Sequence, residues 1–446
     1  MKLLLLGINY APEKIGIAVY SSGLAEEMAG RGVETEVITA LPYYPDWQVF
    51  EGWRGPFWRR RTGENGERII HCPLWVPKTP TGKKRILHHA AFALTALPVA
   101  IWKALFFRPD IVFVVAPAMV AAPVGVLAAK LAGAKSWMHI QDFEVEAALA
   151  TGLLTEEGRT GRYARAFEHW ILQRFDVISS ISRPMLDKLR EKGVAAQRIR
   201  EFRNWADLSR IEPMDGPSGM REELGIETPY VALYSGNLSN KQGLEILPEA
   251  ARLLQHREDL TFVICGDGPM REQLVGAAQD LANIRFLPLQ PIDRLNDLLA
   301  MADVHLLPQI AGAADLVLPS KLTNMLASGR PVVATADAGT ALAEEVEGAG
   351  INVAPGDAAA MAKALDALLS DRDLRLSLGR IARERALTNW NKTAILDTLL
   401  ASFERLVAGG SSAGADVDLP VAKEAYTNGR TTSNSEDRNQ NNLSKS

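Results

Sequence analysis

Short apolar runs alternate with helical patterns along the first half of the chain. Each run is four to seven residues long and bounded by turn residues, and the runs lie at 3–6, 33–39, 111–115, 137–140 and 177–181. Between the first two, residues 20–31 have the apolar spacing of an amphipathic helix. Strands that alternate with helices indicate βαβ units and a parallel sheet.

The same alternation restarts in the second half, after a Pro- and Gly-rich stretch at 204–219 that is typical of a linker. The later runs lie at 230–234, 261–265, 284–287, 304–307 and 332–335. We therefore predict an α/β fold with two Rossmann-like parallel-sheet domains facing a central cleft. The predicted divisions are a first domain at 1–208, a linker at 209–228, a second domain at 229–385, a C-terminal helix at 386–407 that packs back on the first domain, and a disordered tail at 408–446 that has too few apolar residues to fold.

Charge and cysteine content exclude several classes of function. The net charge is -4, whereas a nucleic-acid-binding protein needs a basic excess. The two cysteines, Cys72 and Cys265, are far apart and lack the spacing of metal ligands, so no disulfide framework or zinc site is predicted. A reducing cytoplasm is the expected location.

The stretch 87–107 is the most apolar in the chain, but His88, His89, Pro98 and Lys103 interrupt it. The uninterrupted core is roughly the 10–14 residues that disfavour a membrane-spanning helix. Two interpretations stay open, a buried core helix and a helix lying on an anionic membrane surface. The aromatic and basic residues at 53–61 and 83–85 favour the second, while solvated loops remain the alternative.

Candidate ligand-binding residues follow the predicted strands of the second half. Gly236 and Asn237 come directly after the first of them, and Lys241 lies just before a predicted helix. A glycine there admits a phosphate close to the backbone, and a helix N-terminus with a nearby lysine favours an anion. Gly266 and Asp267 form a Gly-Asp-Gly-Pro turn after the next strand.

A second candidate element is Leu-Pro-Ser-Lys-Leu-Thr-Asn-Met at 318–325. Ser320 is a natural N-cap after a proline, and the amides of Lys321 and Leu322 would be free in the first turn. Asn324, one turn on, is placed to hydrogen-bond ribose hydroxyls.

The order of these segments resembles the retaining GT-B glycosyltransferases of family 4. The resemblance rests on the strand-Gly-x6-Gly opening, the Gly-Asp-Gly-Pro turn, Ala-Asp-Val-His-Leu-Leu-Pro at 302–308 and Ala-Ser-Gly-Arg-Pro-Val-Val-Ala at 327–334. Tyr-x-Pro-Glu-x-x-Gly at 10–16 is similar to the colanic acid and related exopolysaccharide enzymes. The likeness covers roughly 1–405 by these motifs.

The resemblance implies a role for each matching residue. Lys241 would neutralise the donor diphosphate, and the amides of Ser320, Lys321 and Leu322 would bind the distal phosphate. Gly16 would let the N-terminal loop close over the sugar, and backbone near Leu287 would contact the base. Three positions depart from the family: Asn237 replaces an arginine, Asn324 replaces a ribose-binding glutamate, and Leu316 stands where an acidic residue is usual, with Asp315 one position off.

His139 and Asp142 follow a central strand of the first domain, where the family analogy places a residue that contacts the transferred sugar or the acceptor. A strand histidine that is simply hydrogen-bonded in the core is the competing interpretation. Glu144 and Glu146 are weaker candidates.

The predicted activity is metal-independent, retaining transfer of a hexose or deoxyhexose from a GDP- or UDP-sugar to a polyprenyl-diphosphate-linked acceptor. The nucleotide-sugar is a co-substrate, so no cofactor is expected, and the enzyme would be cytoplasmic or peripheral at the inner face of the plasma membrane. Two alternatives remain: a GT-B nucleotide-sugar 2-epimerase using Asp142 and Glu144, and a non-catalytic partner that binds nucleotide-sugar.

Overall fold

The structure is a computed structural model that describes residues 1–14, 16–150, 158–205, 208, 211–239, 242–312 and 320–409. Two mostly parallel sheets carry helices on both faces, and each sheet has its own apolar core. This is the two-domain α/β architecture that the hydrophobic pattern predicts.

The first sheet has eight strands in the order β3-β4-β2-β1-β5-β6-β7-β8. They are β1 (Lys2–Gly7), β2 (Glu34–Ala40), β3 (Arg59–Thr62), β4 (Arg68–Cys72), β5 (Ile111–Ala116), β6 (Lys135–Ile140), β7 (Val177–Ser180) and β8 (Ile199–Glu201). All pair in parallel except β3, which is antiparallel to β4. The chain order reverses between β1 and β5, so a crevice opens beyond the carboxyl ends of these two strands.

The helices of the first unit connect these strands. They are α1 (Ile17–Gly30), α2 (Gly82–Phe106), α3 (Ala122–Ala132), α4 (Glu144–Ala150), α5 (Arg159–Leu172) and α6 (Arg183–Glu191).

The second sheet has six strands in the order β11-β10-β9-β12-β13-β14, all parallel. They are β9 (Tyr230–Ser235), β10 (Leu260–Cys265), β11 (Ile284–Leu287), β12 (Val304–Leu307), β13 (Val332–Thr335) and β14 (Gly350–Val353). Here the order reverses between β9 and β12, which places the ligand crevice of this sheet beyond those two strands.

The remaining helices surround the second sheet or follow it. They are α7 (Met220–Glu223), α8 (Ile246–Leu253), α9 (Arg271–Ala277), α10 (Leu295–Ala300), α11 (Ser320–Ala327), α12 (Ala341–Val346), α13 (Ala358–Ser370), α14 (Arg372–Asn389) and α15 (Lys392–Val407). On α15, Leu396 and Phe403 are fully buried in a core that they share with the first sheet, and the Phe403 ring contacts Phe113 and Trp137.

All ten strands predicted from the sequence are present, within a residue or two at either end. Four more were not predicted: β3, β4, β8 and β14. The sequence of β3 is Arg-Arg-Arg-Thr, which carries no apolar alternation and forms an exposed edge. Helix α1 begins three residues before the predicted helix, because the left-handed Gly16 (φ 63°) turns the chain directly into it.

Two segments differ from the sequence prediction. Part of the stretch predicted as a linker is packed structure, since Met220 of α7 is buried and the Arg221 guanidinium donates to the Met301 carbonyl over 2.7 Å. Helix α2 continues through Pro98 for 25 residues, longer than the uninterrupted core expected there. By length and composition Lys84–Phe106 is one described helix that could cross a membrane, although part of it is buried in the protein.

Candidate functional site

A half-buried lysine lies at the crevice of the second sheet. Lys321, in the first turn of α11, places its ammonium 2.8 Å from the Tyr234 hydroxyl of β9, 3.1 Å from Gln242 Oε1 and 4.4 Å from the Tyr234 ring centroid. The Tyr234 hydroxyl also donates to Gln242. Burial lowers the pKa of Lys321 to about 7, and among the described residues no carboxylate pairs with it. A lysine with a lowered pKa beside a helix N-terminus suits the binding of an anion, and no described carboxylate supplies that anion.

Two glycines allow the loops after β9 and β10 to lie close together at this crevice. A Cβ on Gly236 would lie 3.0 Å from Lys321 Nζ, and a Cβ on Gly266 would lie 1.9 Å from the Gly236 carbonyl oxygen. Both residues have positive φ angles, 145° and 156°. The loops after β9 and β10 thus approach each other so closely that only glycine fits at Gly266.

The structure places the other predicted donor residues around this point. Asn237 is exposed, and its carbonyl oxygen lies 2.8 Å from the Tyr234 hydroxyl oxygen. Asp267 is exposed, and its side chain accepts from the Gly268 amide over 2.8 Å. Leu287 ends β11 with its carbonyl accepting from Gly266 N and Arg271 Nη1.

The backbone of Ser320 begins α11, and Leu322 is fully buried beneath the helix. The first amides of any α-helix have no intrahelical acceptor, so this terminus can bind an anion beside Lys321. Asn324 is half-buried one turn on. Lys241, predicted as the main phosphate partner, lies outside the described residues, as do Asp315 and Leu316.

Two carboxylates, the buried Glu13 and the half-buried Glu144, hold loops in place at the crevice of the first sheet. Glu13 accepts from the amides of Tyr43 and Tyr44 over 2.8 and 2.9 Å, which ties the loop after β1 to the loop after β2. Burial raises its pKa. Gly16, three residues on, has open space around its Cβ position.

Glu144 likewise accepts hydrogen bonds from backbone amides, here in the loop after β5. Its carboxylate accepts from the amides of Ala118 and Met119 over 2.5 and 3.0 Å, and His89 Nδ1 lies 3.4 Å away. Burial raises the pKa of Glu144, and burial beside Arg85 lowers that of His89 to about 4. His89 was not predicted as a site residue, because in the sequence it stands out only as an interruption of an apolar stretch. Glu144 was a weaker candidate than His139 or Asp142.

His139 occupies the core of the first sheet. Its ring packs against Phe113 and Phe202, its Nδ1 lies 3.0 Å from Ser179 Oγ, and burial lowers its pKa to about 3. This environment matches the competing interpretation of a hydrogen-bonded core histidine. Asp142 is half-buried two residues after β6, and Glu146 forms an ion pair with Lys192.

The chemistry available is anion binding at the crevice of the second sheet, while two carboxylates fix the loops at the crevice of the first. Among the described residues, no three His, Cys, Asp or Glu side chains come together in a way that could hold a metal ion. Cys72 and Cys265 are both buried and free.

Comparisons with known proteins agree with this architecture. Residues 16–205 match the model of the glycosyl transferase 4-like domain, and residues 219–385 match that of glycosyl transferases group 1. The sucrose-phosphate synthase of Thermosynechococcus elongatus has the same fold, with a TM-score of 0.69 at 19% identity, covering 92% of this chain and 99% of that one. HepE from Anabaena, solved with UDP-glucose, superposes with a TM-score of 0.63 at 17% identity, covering 91% and 99%.

The chain belongs to the GT-B glycosyltransferases with a group 1 domain, and it is a glycosyltransferase. It is similar to WcaI of Escherichia coli strain K12, a protein named for colanic acid biosynthesis, with 43% identity over 355 residues that cover 78% of this chain and 86% of that one. WbjE of Pseudomonas aeruginosa, named as a glycosyltransferase, is 26% identical over 62% of this chain and 70% of that protein.

Proposed function

We propose that this glycosyltransferase moves a hexose or deoxyhexose from a GDP- or UDP-sugar to a polyprenyl-diphosphate-linked oligosaccharide during bacterial exopolysaccharide synthesis. The donor assignment rests on the ammonium of Lys321, which lies half-buried at the N-terminus of α11 with no described carboxylate beside it. A diphosphate supplies the missing negative charge.

The proposed mechanism is governed by departure of the leaving group. As the sugar–phosphate bond breaks, negative charge grows on the diphosphate while the anomeric carbon becomes oxocarbenium-like. The ammonium of Lys321, the amides of α11 and the ammonium of Lys241 would stabilise that charge. The acceptor hydroxyl then attacks from the same face of the sugar, and a phosphate oxygen takes its proton, so the anomeric configuration is retained.

The acceptor is proposed to lie along the first sheet, where Glu13 and Glu144 fix the loops after β1 and β5. Relatives support the class of substrate: WcaI is named for colanic acid biosynthesis, and HepE was solved with UDP-glucose. The enzyme would act in the cytoplasm, at the inner face of the plasma membrane.

Donor binding can be tested directly by thermal stabilisation with a panel of GDP- and UDP-sugars. A ligand at 100 times its dissociation constant adds about 2.7 kcal/mol to the free energy of unfolding. We expect one nucleotide series to stabilise the enzyme and the other to have little effect. If neither series does so and neither supports transfer, the proposal fails.

Transfer itself is tested with the stabilising donor and a prenyl-diphosphate-linked acceptor. The product should carry one added sugar with the donor's anomeric configuration by NMR, and the rate should be the same in EDTA. A rate that is lost in EDTA and restored by manganese contradicts the metal-free mechanism. A donor-only arm detects an epimerase, which would convert the sugar without acceptor.

A further inference from the structure

Helix α2 presents a continuous apolar face to solvent. Leu87, Leu94 and Leu105 are spaced by 7 and 11 residues, which places them on one side of a helix that turns 100° per residue. Their exposed fractions are 59%, 71% and 46%. The opposite side, with Phe92 and Ala100, is buried in the first sheet's core. From Leu87 to Leu105 the exposed stripe is roughly 27 Å long at 1.5 Å per residue.

An aromatic loop widens this face. Phe57 is 74% exposed, and the neighbouring Trp58 donates from its indole nitrogen to the Thr95 carbonyl over 3.0 Å, which fixes the loop against the middle of α2. Trp102 and Phe106 add a ring pair with centroids 4.1 Å apart, both largely exposed. We call this surface, formed by the exposed stripe of α2 with Phe57 and Trp58, the outer face.

The charged side chains of α2 itself are all basic. The 25 residues of α2 include no Asp or Glu. Lys84 is exposed at one end of the helix, Arg108 follows the other end, and Arg60 is exposed on β3. Within the described part of the chain, none of these three forms an ion pair. Apolar and aromatic side chains with cations at their rim suit the headgroup region of an anionic bilayer.

We infer that the outer face docks this protein onto an anionic phospholipid bilayer, with α2 lying in the plane of the headgroup region. The buried side of α2 packs on the sheet, so a helix crossing the bilayer would have to expose Phe92 and Ala100 and leave a gap in the first core. A second copy fits less well, because two such faces would bring their cationic rims together. The inference stands on this surface alone and does not depend on the proposed donor or acceptor.

Vesicle flotation of the full chain tests the inference. We expect binding to vesicles of phosphatidylcholine with phosphatidylglycerol, much weaker binding to phosphatidylcholine alone, and loss as salt screens the rim. L94E/L105E should reduce binding at least tenfold. The matched control is L376E/L387E, because these leucines of α14 are similarly exposed, at 49% and 45%. It should bind like the wild type.

Charge variants separate the contribution of the cationic rim from that of the apolar stripe. R60Q together with K84Q should reduce binding to anionic vesicles about tenfold or more, since each cation near such a membrane contributes about one factor of five. Binding to the uncharged vesicles should not change. Equal loss with L376E/L387E, or no loss with L94E/L105E, overturns the inference.

Two further outcomes would assign the face differently. Membrane-bound protein that resists extraction at alkaline pH indicates that α2 spans the bilayer. Wild-type dimerisation that L94E/L105E abolishes, without vesicle binding, assigns the face to a second copy. Transfer to a water-soluble acceptor analogue should be unchanged in L94E/L105E, so failure of docking can be told apart from failure of the proposed activity.

Discussion

The ammonium of Lys321 lies 2.8 Å from the hydroxyl of Tyr234, and these two residues belong to the two elements that meet at the switch point of the second sheet. Tyr234 is the penultimate residue of β9, and Lys321 is the second residue of the helix that follows β12. The contact holds a cation at the place where an open parallel sheet binds its ligand. The pKa of Lys321 is lowered to about 7, so the charge of the donor-free site depends on pH.

Donor affinity should therefore fall as the pH rises. A bound diphosphate favours the charged ammonium, so binding takes up a proton when the free lysine is neutral. We expect the nucleotide-sugar dissociation constant to be flat below pH 7 and to rise above it, toward tenfold per pH unit. Calorimetry from pH 6 to 9 measures this, and K321M should show a flat profile. The same slope in both proteins would remove Lys321 from donor binding.

Replacing Lys321 should stabilise the free protein while it damages catalysis. Between pH 7 and about 10.4, Lys321 is protonated in the unfolded chain but largely neutral in the folded protein. The lysine therefore lowers the free energy of unfolding at pH 7, and this penalty becomes smaller as the pH rises. K321M should unfold at higher temperature than wild type at pH 7, by a margin that shrinks at pH 10, and should lower kcat/KM about 10²-fold. A less stable K321M would contradict the low pKa.

Lys241 remains a prediction from the sequence. If its ammonium stabilises the departing diphosphate, K241A should lower kcat/KM by about 10²-fold or more. K363A, which removes an exposed lysine from α13, is the control and should be near wild type. Steady-state kinetics on both decides the point, and a K241A enzyme at wild-type rate would exclude the role.

The close approach of the loops after β9 and β10 predicts a large effect of one methyl group. G266A places a Cβ 1.9 Å from the Gly236 carbonyl oxygen, so the donor loop has to shift. We expect a destabilisation of about 2 kcal/mol or more and weak donor binding. G276A on α9 meets nothing within 4 Å and should stabilise by about 0.5–1 kcal/mol. Urea unfolding of both variants provides the comparison, and equal stabilities would contradict the packing described.

The central strands of both sheets could be predicted because they are buried runs such as Leu-Leu-Leu-Leu in β1 and Ile-Val-Phe-Val-Val in β5. The edge strand β3 could not, since hydrogen bonds to β4 rather than burial hold its arginines in place. Lys321 was predicted near the donor from its helix N-terminus. Its contact with Tyr234 was not, because strand and helix are far apart in sequence.

Side-chain environment was the least predictable part of the first domain. His139 and Glu144 both lie near the end of β6, and the sequence favoured the histidine for chemistry. The structure places His139 between Phe113 and Phe202, and gives Glu144 two backbone amides at the crevice. Which face of a strand a residue occupies, and which loop crosses it, depends on tertiary packing that one sequence does not reveal.

A crystal structure with the nucleotide-sugar bound would show whether Lys321 and the N-terminus of α11 hold the donor diphosphate. We predict that the diphosphate lies at this terminus, with a phosphate oxygen within hydrogen-bonding distance of Lys321 Nζ and no metal ion between them. A diphosphate bound away from Lys321 and the first turn of α11, or held there through a divalent cation, would rule out metal-free donor binding by Lys321.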